Sequence, residues 1–251
     1  RLEDKGLIDL DKPLYQYLPW DEIEEKPYSK LLTARLVLSH QTGLPNWGEM
    51  RFMHKPGEGY SYSGSAYQYL GRVLENITGK DLHTILQEEV VHPLNLEHFY
   101  YQAHPYVKKH KAHGHFNGFP GGIDMPKKPW VAGCLITNVK GLSEFVFALK
   151  NRKGLKPETY TEMFDKAVEI PLEEQENNWG FSEYMGLGLF FEEGTDGLVF
   201  RHSGNNGDFK SVFRYNDDAE IGYILLANGN TGQFLLDAIE KVLYTPSTKN
   251  E

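Results

Sequence analysis

One cysteine stands among 251 residues, and that scarcity already limits the chemistry. Cys134 has no second thiol to pair with, so no internal disulfide can staple the fold. No cationic cluster adjoins it in sequence, so nothing lowers its pKa, and the reading is a buried, inert thiol. Apolar runs are short: none approaches the roughly 18 residues of a membrane-spanning helix, and no signal-peptide pattern is visible. Positive charge is scarce too. Lys and Arg number 26 against 35 Asp and Glu, and the net charge of -9 argues against nucleic acid or an anionic membrane as the main partner. Internal repeats, low-complexity tracts and interdomain linkers are also missing. What is present is core material. A 40% hydrophobic and 13% aromatic composition excludes disorder, and the length suits one large domain or a sheet domain with a helical lobe.

The chain opens on Arg1-Leu2-Glu3-Asp4-Lys5-Gly6, a charged helical turn closed by glycine. No N-cap precedes this turn, so the sequence reads as beginning inside a helix, with a segment expected upstream. Residues 15–20 form an aromatic loop, and residues 31–38 read as a short buried helix followed by Ser39-His40-Gln41-Thr42-Gly43-Leu44-Pro45. After Lys55-Pro56-Gly57-Glu58-Gly59-Tyr60-Ser61-Tyr62-Ser63-Gly64 comes a helix with Tyr67, Leu70, Leu74 and Ile77 on one face and Gly79 at its end. Asp81 caps the next helix, with Leu82, Ile85, Leu86 and Val90 inward, ending near His92-Pro93-Leu94. Residues 166–178 are acidic and read as a solvated insertion. Residues 198–201 and 211–215 are β-rich runs flanking a Gly-rich polar turn, His202-Ser203-Gly204, that continues through Asn205 to Phe209. Residues 221–228 give a third strand.

Leu10-Asp11-Lys12-Pro13-Leu14 with Tyr17-Leu18-Pro19, then Thr33 through Pro45, match "L-D-x-P-L-x-x-Y-L-P" and "T-x-R-x-L-L-S-H-x-T-G-L-P". Together with the Pro56–Gly64 stretch, Ala132-Gly133-Cys134-Leu135-Ile136-Thr137 and Gly186-Leu187-Gly188-Leu189, they keep the order and spacing of one family. The chain resembles the serine β-lactamase and penicillin-binding-protein superfamily, in the branch of class C β-lactamases, DD-peptidases and related esterases. The likeness covers nearly the whole length. It implies an α/β fold of the α+β type: one domain over residues 1–251, an antiparallel sheet flanked by helices, with a helical lobe and the pocket at their junction.

The resemblance also shows what is missing. In this family the nucleophile lies in Ser-x-x-Lys at a helix start, and no serine here is followed three places later by lysine. Thr137-Asn138-Val139-Lys140 has the spacing but falls in the strand-to-helix element, and there is no Gly-x-Ser-x-Gly elbow. The nucleophile helix and first strands are therefore expected before residue 1. The rest of the site is assigned by resemblance. Tyr62 relays protons, needing nearby cations because a free phenol has a pKa of about 10. His202 stands for the lysine of Lys-Thr-Gly and makes the electrostatics pH-dependent. Ser203 holds a substrate carboxylate or joins a proton relay, Gly204 lets substrate backbone approach, and the Asn205 N–H forms half the oxyanion hole. Gly64 replaces a substrate-binding asparagine, which weakens the case for β-lactam hydrolysis and leaves room for a bulkier substrate. His40 and Gln41 take structural hydrogen bonds.

The implied function is an acyl-enzyme serine hydrolase of small-molecule or peptide amides and esters, with no cofactor, in a bacterial periplasmic or secreted setting. Two other readings stay open. A non-catalytic module could keep the fold and bind ligand or peptidoglycan. A metal protein could use the stretch holding His92, His98, His104, His110, His113 and His115, although the spacings structural zinc prefers are absent and a surface loop is the better reading.

Overall fold

The computed structural model describes residues 1–23, 26–121, 128–174, 182–194 and 197–244. Four of its helices start where a side chain takes an orphan N–H group. Thr33 caps α1 (Ala34–Leu38), Ser63 caps α2 (Gly64–Thr78), Asp81 caps α3 (Leu82–Leu86) and Asn138 caps α4 (Val139–Lys150). Gly79 ends α2 in the left-handed conformation at φ 66°, as its position in the sequence predicts. The opening turn closes in the same manner. Gly6 N–H donates to Glu3 O and Leu7 N–H to Leu2 O, the paired bonds of a Schellman motif.

A further helix, α5 (Pro157–Phe164), precedes a six-stranded antiparallel sheet whose strands lie side by side in chain order. These are β1 (Val168–Glu169), β2 (Ser182–Met185), β3 (Phe190–Gly194), β4 (Gly197–Asn205), β5 (Lys210–Asn216) and β6 (Ile221–Ala227). A final helix, α6 (Gly232–Tyr244), follows. The α+β expectation holds: a helical lobe sits beside an antiparallel sheet with helices against it.

Three local readings change. The first helix begins at Ala34, because Thr33 supplies its cap and Leu31 is exposed. On α2 the buried positions are Gly64, Ala66, Tyr69, Leu70, Gly71 and Val73, so Leu70 is inward as predicted and the rest of the stripe is rotated. Tyr67, Leu74 and Ile77 pack at its margin. The insertion read over 166–178 is solvated only in part: β1 pairs with β2 and Ile170 is buried against Tyr60, Met185 and Phe190, whereas residues 172–174 are exposed as expected. Residues 175–178 of that stretch lie outside the described residues.

Apolar clusters fill both halves. Leu14, Ile23, Leu32, Val37 and Val73 pack in the helical lobe, where Trp20 stacks on Tyr69 at 4.4 Å. Phe191, Phe200, Phe213 and Tyr215 pack with Val146 and Leu149 of α4 on one face of the sheet. The turn between β2 and β3 joins the halves. Leu187 enters the lobe cluster, and Gly188, at φ +87°, donates its N–H to Leu38 O at 2.9 Å. The opposite face of the sheet holds buried charge. Arg201 bonds Glu183 at 2.8 Å and pairs with Glu192, which also pairs with Arg214. Beyond them Glu240 of α6 accepts from the Tyr223 hydroxyl, and burial pushes its carboxyl above the ordinary range.

Candidate active site

Tyr62 is held by one residue on both sides. Ser61 N–H donates to the His40 carbonyl at 2.7 Å, and Ser63 N–H donates to His40 Nδ1 at 3.0 Å. His40 reaches both donors because it adopts the left-handed region at φ 55°, a strained setting for a residue with a side chain. Its imidazole stacks on the Tyr62 phenol at 4.1 Å. Burial, and next the neighbouring His202, push its pKa down to about 3, so at neutral pH the ring is uncharged and Nδ1 can accept. Gln41 also takes the structural role read from the sequence: its side-chain amide donates to Ser39 Oγ at 2.8 Å and its carbonyl accepts from Gly57 N–H.

The hydroxyls flanking Tyr62 are engaged. His54 Nδ1 meets the Lys55 carbonyl at 3.0 Å, and a carbonyl only accepts, so the proton sits on Nδ1 and Nε2 takes the Ser61 hydroxyl at 2.6 Å. Ser61 and His54 thus form a serine–histidine pair that sequence reasoning did not weigh, but Ser61 is only 4% exposed and its hydroxyl is closed to substrate. Ser63 Oγ donates to Pro45 O and accepts from Ala66 N–H.

The second wall is the end of β4. The polar stretch read as a turn is strand through Asn205, and the hairpin turn proper is Asn206–Phe209. Pairing of β3 with β4 stops at Phe190↔Arg201, whereas pairing of β4 with β5 runs on to Asn205↔Lys210. Among the described residues no strand pairs with the other edge of His202-Ser203-Gly204-Asn205, and Phe190 stands where that open edge begins. Phe190 joins the walls. Its ring lies 6.3 Å from Tyr62, stacked, and 5.3 Å from His202, edge-on. Tyr62 is itself partly exposed, and Phe190 stands beside both its ring and the His202 imidazole.

His202 Nδ1 meets the Ser203 carbonyl at 2.7 Å, which fixes a proton on Nδ1 and puts the lone pair of the neutral ring on Nε2. The Asn205 side-chain oxygen accepts from Gly207 N–H at 3.0 Å and from Lys210 Nζ, so it is engaged within the hairpin. Asn206 Nδ2 donates to Gly133 O at 2.8 Å, tying the Ala132-Gly133-Cys134 element to this wall.

One glycine reading is corrected. A Cβ on Gly204 would crowd only the rotatable hydroxyl of its cross-strand partner Ser211. A Cβ on Gly64 would fall 2.5 and 2.7 Å from ring carbons of Trp47. The room expected beside Gly64 is filled by that indole, and Gly64 N–H is bonded to Asn46 Oδ1.

Sequence reasoning missed Phe190, Trp47 and Lys210. A signal existed for Phe190 in the aromatic pair Phe190-Phe191, since alternation puts one ring on each face of a strand. Cys134 is buried, its thiol donates to Trp130 O at 2.9 Å, and burial pushes its pKa up, in keeping with an inert thiol. Histidines of the 92–115 stretch stack on tyrosines: His98 and His110 on Tyr106, and His104 on Tyr100. His113 and His115 bond the carbonyls of Gly121 and Asn228. Among the described residues no group of three or more His, Cys, Asp or Glu is arranged to hold a metal ion, and no helix is long and apolar enough to cross a membrane.

Known proteins resemble this chain in sequence and in fold. A model of the Beta-lactamase family matches residues 1–244. The teichoic acid D-alanine hydrolase of Staphylococcus aureus is 26% identical over 253 residues, which cover 92% of this chain and 58% of that protein. Among solved structures, a D-stereospecific amidohydrolase from Streptomyces sp. aligns with a TM-score of 0.76 at 20% identity, covering 94% of this chain and 80% of that one. The octameric penicillin-binding protein homologue from Pyrococcus abyssi aligns at 0.75 and 20% identity, covering 96% and 62%. The chain spans about half the length of the curated relatives it matches.

Proposed function

The chain belongs to the β-lactamase family, and from that premise we propose that it forms the Tyr62 and His202 walls of a serine hydrolase acting through an acyl-enzyme. The observation that supports the reading is Phe190, whose ring lies beside both side chains where, among the described residues, the pairing of β3 with β4 ends. In this reading the Asn205 N–H meets the developing oxyanion. The nucleophile and its lysine come from a Ser-x-x-Lys preceding Arg1, together with the first strands of the sheet. This stretch alone is then inactive.

In the proposed cycle Tyr62 starts as a phenolate held by the upstream lysine and a protonated His202. The upstream serine oxygen attacks the substrate carbonyl, and its proton passes to the Tyr62 oxygen. The tetrahedral intermediate collapses, the carbonyl-to-leaving-group bond breaks, and Tyr62 returns the proton to the departing amine or alcohol. Water then repeats the sequence to free the acid. His202 supplies positive potential beside Tyr62, and Ser203 bonds a substrate carboxylate or joins the relay. Substrates are amides or esters: D-amino-acid peptides, β-lactams or small esters, a range supported by the hydrolase and amidohydrolase names of the similar proteins. The compartment proposed with this activity is periplasmic or secreted.

The alternative reading is a non-catalytic module that keeps the fold and binds ligand or peptidoglycan. One experiment separates them. The full-length protein is treated with a fluorophosphonate or penicillin probe and the adduct mapped by mass spectrometry. The hydrolase reading expects one adduct, on an upstream Ser-x-x-Lys serine; folded protein with no serine adduct rejects it.

A further inference from the structure

Phe116 and Phe119 are 60% and 76% exposed, yet the backbone that carries them is fastened down. They belong to a small hairpin, His115–Phe116 paired with Phe119–Pro120, joined by Asn117 and Gly118. Both joining residues lie at positive φ, 53° and 84°, the tight turn that Asn-Gly favours. The turn between β6 and α6 grips the hairpin. Asn117 N–H donates to Asn230 Oδ1 at 2.9 Å, and Asn230 Nδ2 donates back to Asn117 Oδ1 at 3.0 Å. Asn230 N–H donates to the His115 carbonyl and Asn228 Nδ2 to the His113 carbonyl. Phe116 and Phe119 stand opposite each other in the register, so both side chains leave the same face. A lone exposed apolar side chain is ordinary; two presented together on a fastened hairpin make an apolar tip.

The chain leading to that tip is basic. Residues 104–121 hold Lys108, Lys109 and Lys111 and no Asp or Glu, in a protein of net charge -9. Lys108 and Lys109 are exposed on the short helix Pro105–His110, and Lys111 Nζ stands 5.2 Å from the Phe209 ring centre. Asp208 lies against Gly114, at the foot of the hairpin. The overall charge opposes an anionic surface from afar, but salt screens it beyond about 10 Å, so at contact the nearby lysines decide. Two rings and a proline are too little apolar area for a stable protein interface, which takes about 800 Å² from each partner. They suit the headgroup region of a bilayer, where a few aromatic groups beside lysines hold a protein to anionic lipid.

We propose that the Phe116–Phe119 hairpin and the lysines before it dock this protein on an anionic lipid bilayer. Each ring that leaves water strengthens binding about tenfold, and the lysine attraction fades as salt rises. This docking is separate from the hydrolase reading and does not depend on it.

The test puts a polarity-sensitive fluorophore on the full-length protein at Pro120→Cys, in a Cys134→Ala background. The label reports the hairpin itself, whatever else in the full chain touches lipid. Vesicles of phosphatidylcholine, alone or mixed with phosphatidylglycerol, are titrated in at low and high salt. The label is expected to shift to the blue on the mixed vesicles and much less on phosphatidylcholine. Phe116→Ser with Phe119→Ser weakens that titration about 100-fold. Lys108→Gln, Lys109→Gln and Lys111→Gln together abolish the phosphatidylglycerol preference and its salt dependence. If circular dichroism shows the double Phe variant unfolded, Phe119→Ser alone and the lysine variant carry the comparison. No shift on either vesicle, or a shift unchanged in both variants, overturns the proposal. A shift that soluble polyphosphate also produces, and that the Phe variant retains, marks a polyanion site and overturns the bilayer as partner. No arm involves bond cleavage, so failure of the hydrolase reading leaves each outcome as it stands.

Discussion

The imidazole of His40 lies against the phenol of Tyr62, ring centres 4.1 Å apart and planes 30° from parallel. With its carbonyl and Nδ1 taking the N–H groups of Ser61 and Ser63, His40 fixes the Tyr62 backbone and ring at once. That arrangement needs a neutral ring and has a pH signature. The folded pKa is about 3 and the ordinary value about 6.5, so the unfolded chain takes up this proton first as pH falls. His40 therefore costs no stability above about pH 6.5, costs about 1.4 kcal/mol for each pH unit between 6.5 and 3, and adds no further loss below 3. His40→Asn keeps an acceptor for Ser63 and tolerates the left-handed backbone. Urea unfolding across pH should show it about 2 kcal/mol less stable at neutral pH, from lost ring packing, with a flatter acid limb.

Removing only the Tyr62 hydroxyl should spare the fold, since the ring contacts with His40 and Phe190 survive in Tyr62→Phe. If the phenol moves the proton, kcat should fall about 10²- to 10⁴-fold with an unchanged unfolding midpoint. Steady-state kinetics on the preferred ester reads this directly.

Gly64 and Trp47 should behave as a pair. Gly64→Ala drives a methyl group into the indole and is expected to cost about 1–3 kcal/mol. In a Trp47→Ala background the same change should cost much less, and a double-mutant cycle by chemical denaturation measures the difference.

The buried charges make a stability prediction far from the cleft. Arg201, Glu183, Glu192 and Arg214 are all nearly inaccessible, and removing one member strands its partner. Arg201→Met is expected to cost about 3–5 kcal/mol of unfolding free energy with no selective effect on KM.

These charges also show where the sequence stops being readable. Val199-Phe200-Arg201 and Val212-Phe213-Arg214 look like strands with one polar face, the usual mark of solvent exposure. Only the register, which sets Arg201 across from Arg214 and Glu183 across from Glu192, shows that the charges neutralise one another under cover. Caps and glycine stops were legible because they are local: Asp81, Gly79 and Gly6 all act as their positions predict. The Tyr62 and His202 elements were legible through motif order. Phe190, which joins them, was not, because its role depends on where β3 stops pairing with β4. Gly64 misled for a related reason: a missing side chain looks like space until the neighbour that fills it is known.

The most direct test of the account asks whether Tyr62 and His202 serve one reaction. Acylation rates of the full-length protein by a fluorophosphonate or penicillin probe are measured for wild type, Tyr62→Phe, His202→Ala and the double variant. Residues that act as a unit are grossly non-additive. The account predicts that each single change slows acylation about 10²-fold or more, and that the double falls little further. Acylation at the wild-type rate in both single variants, with folding intact, would contradict it.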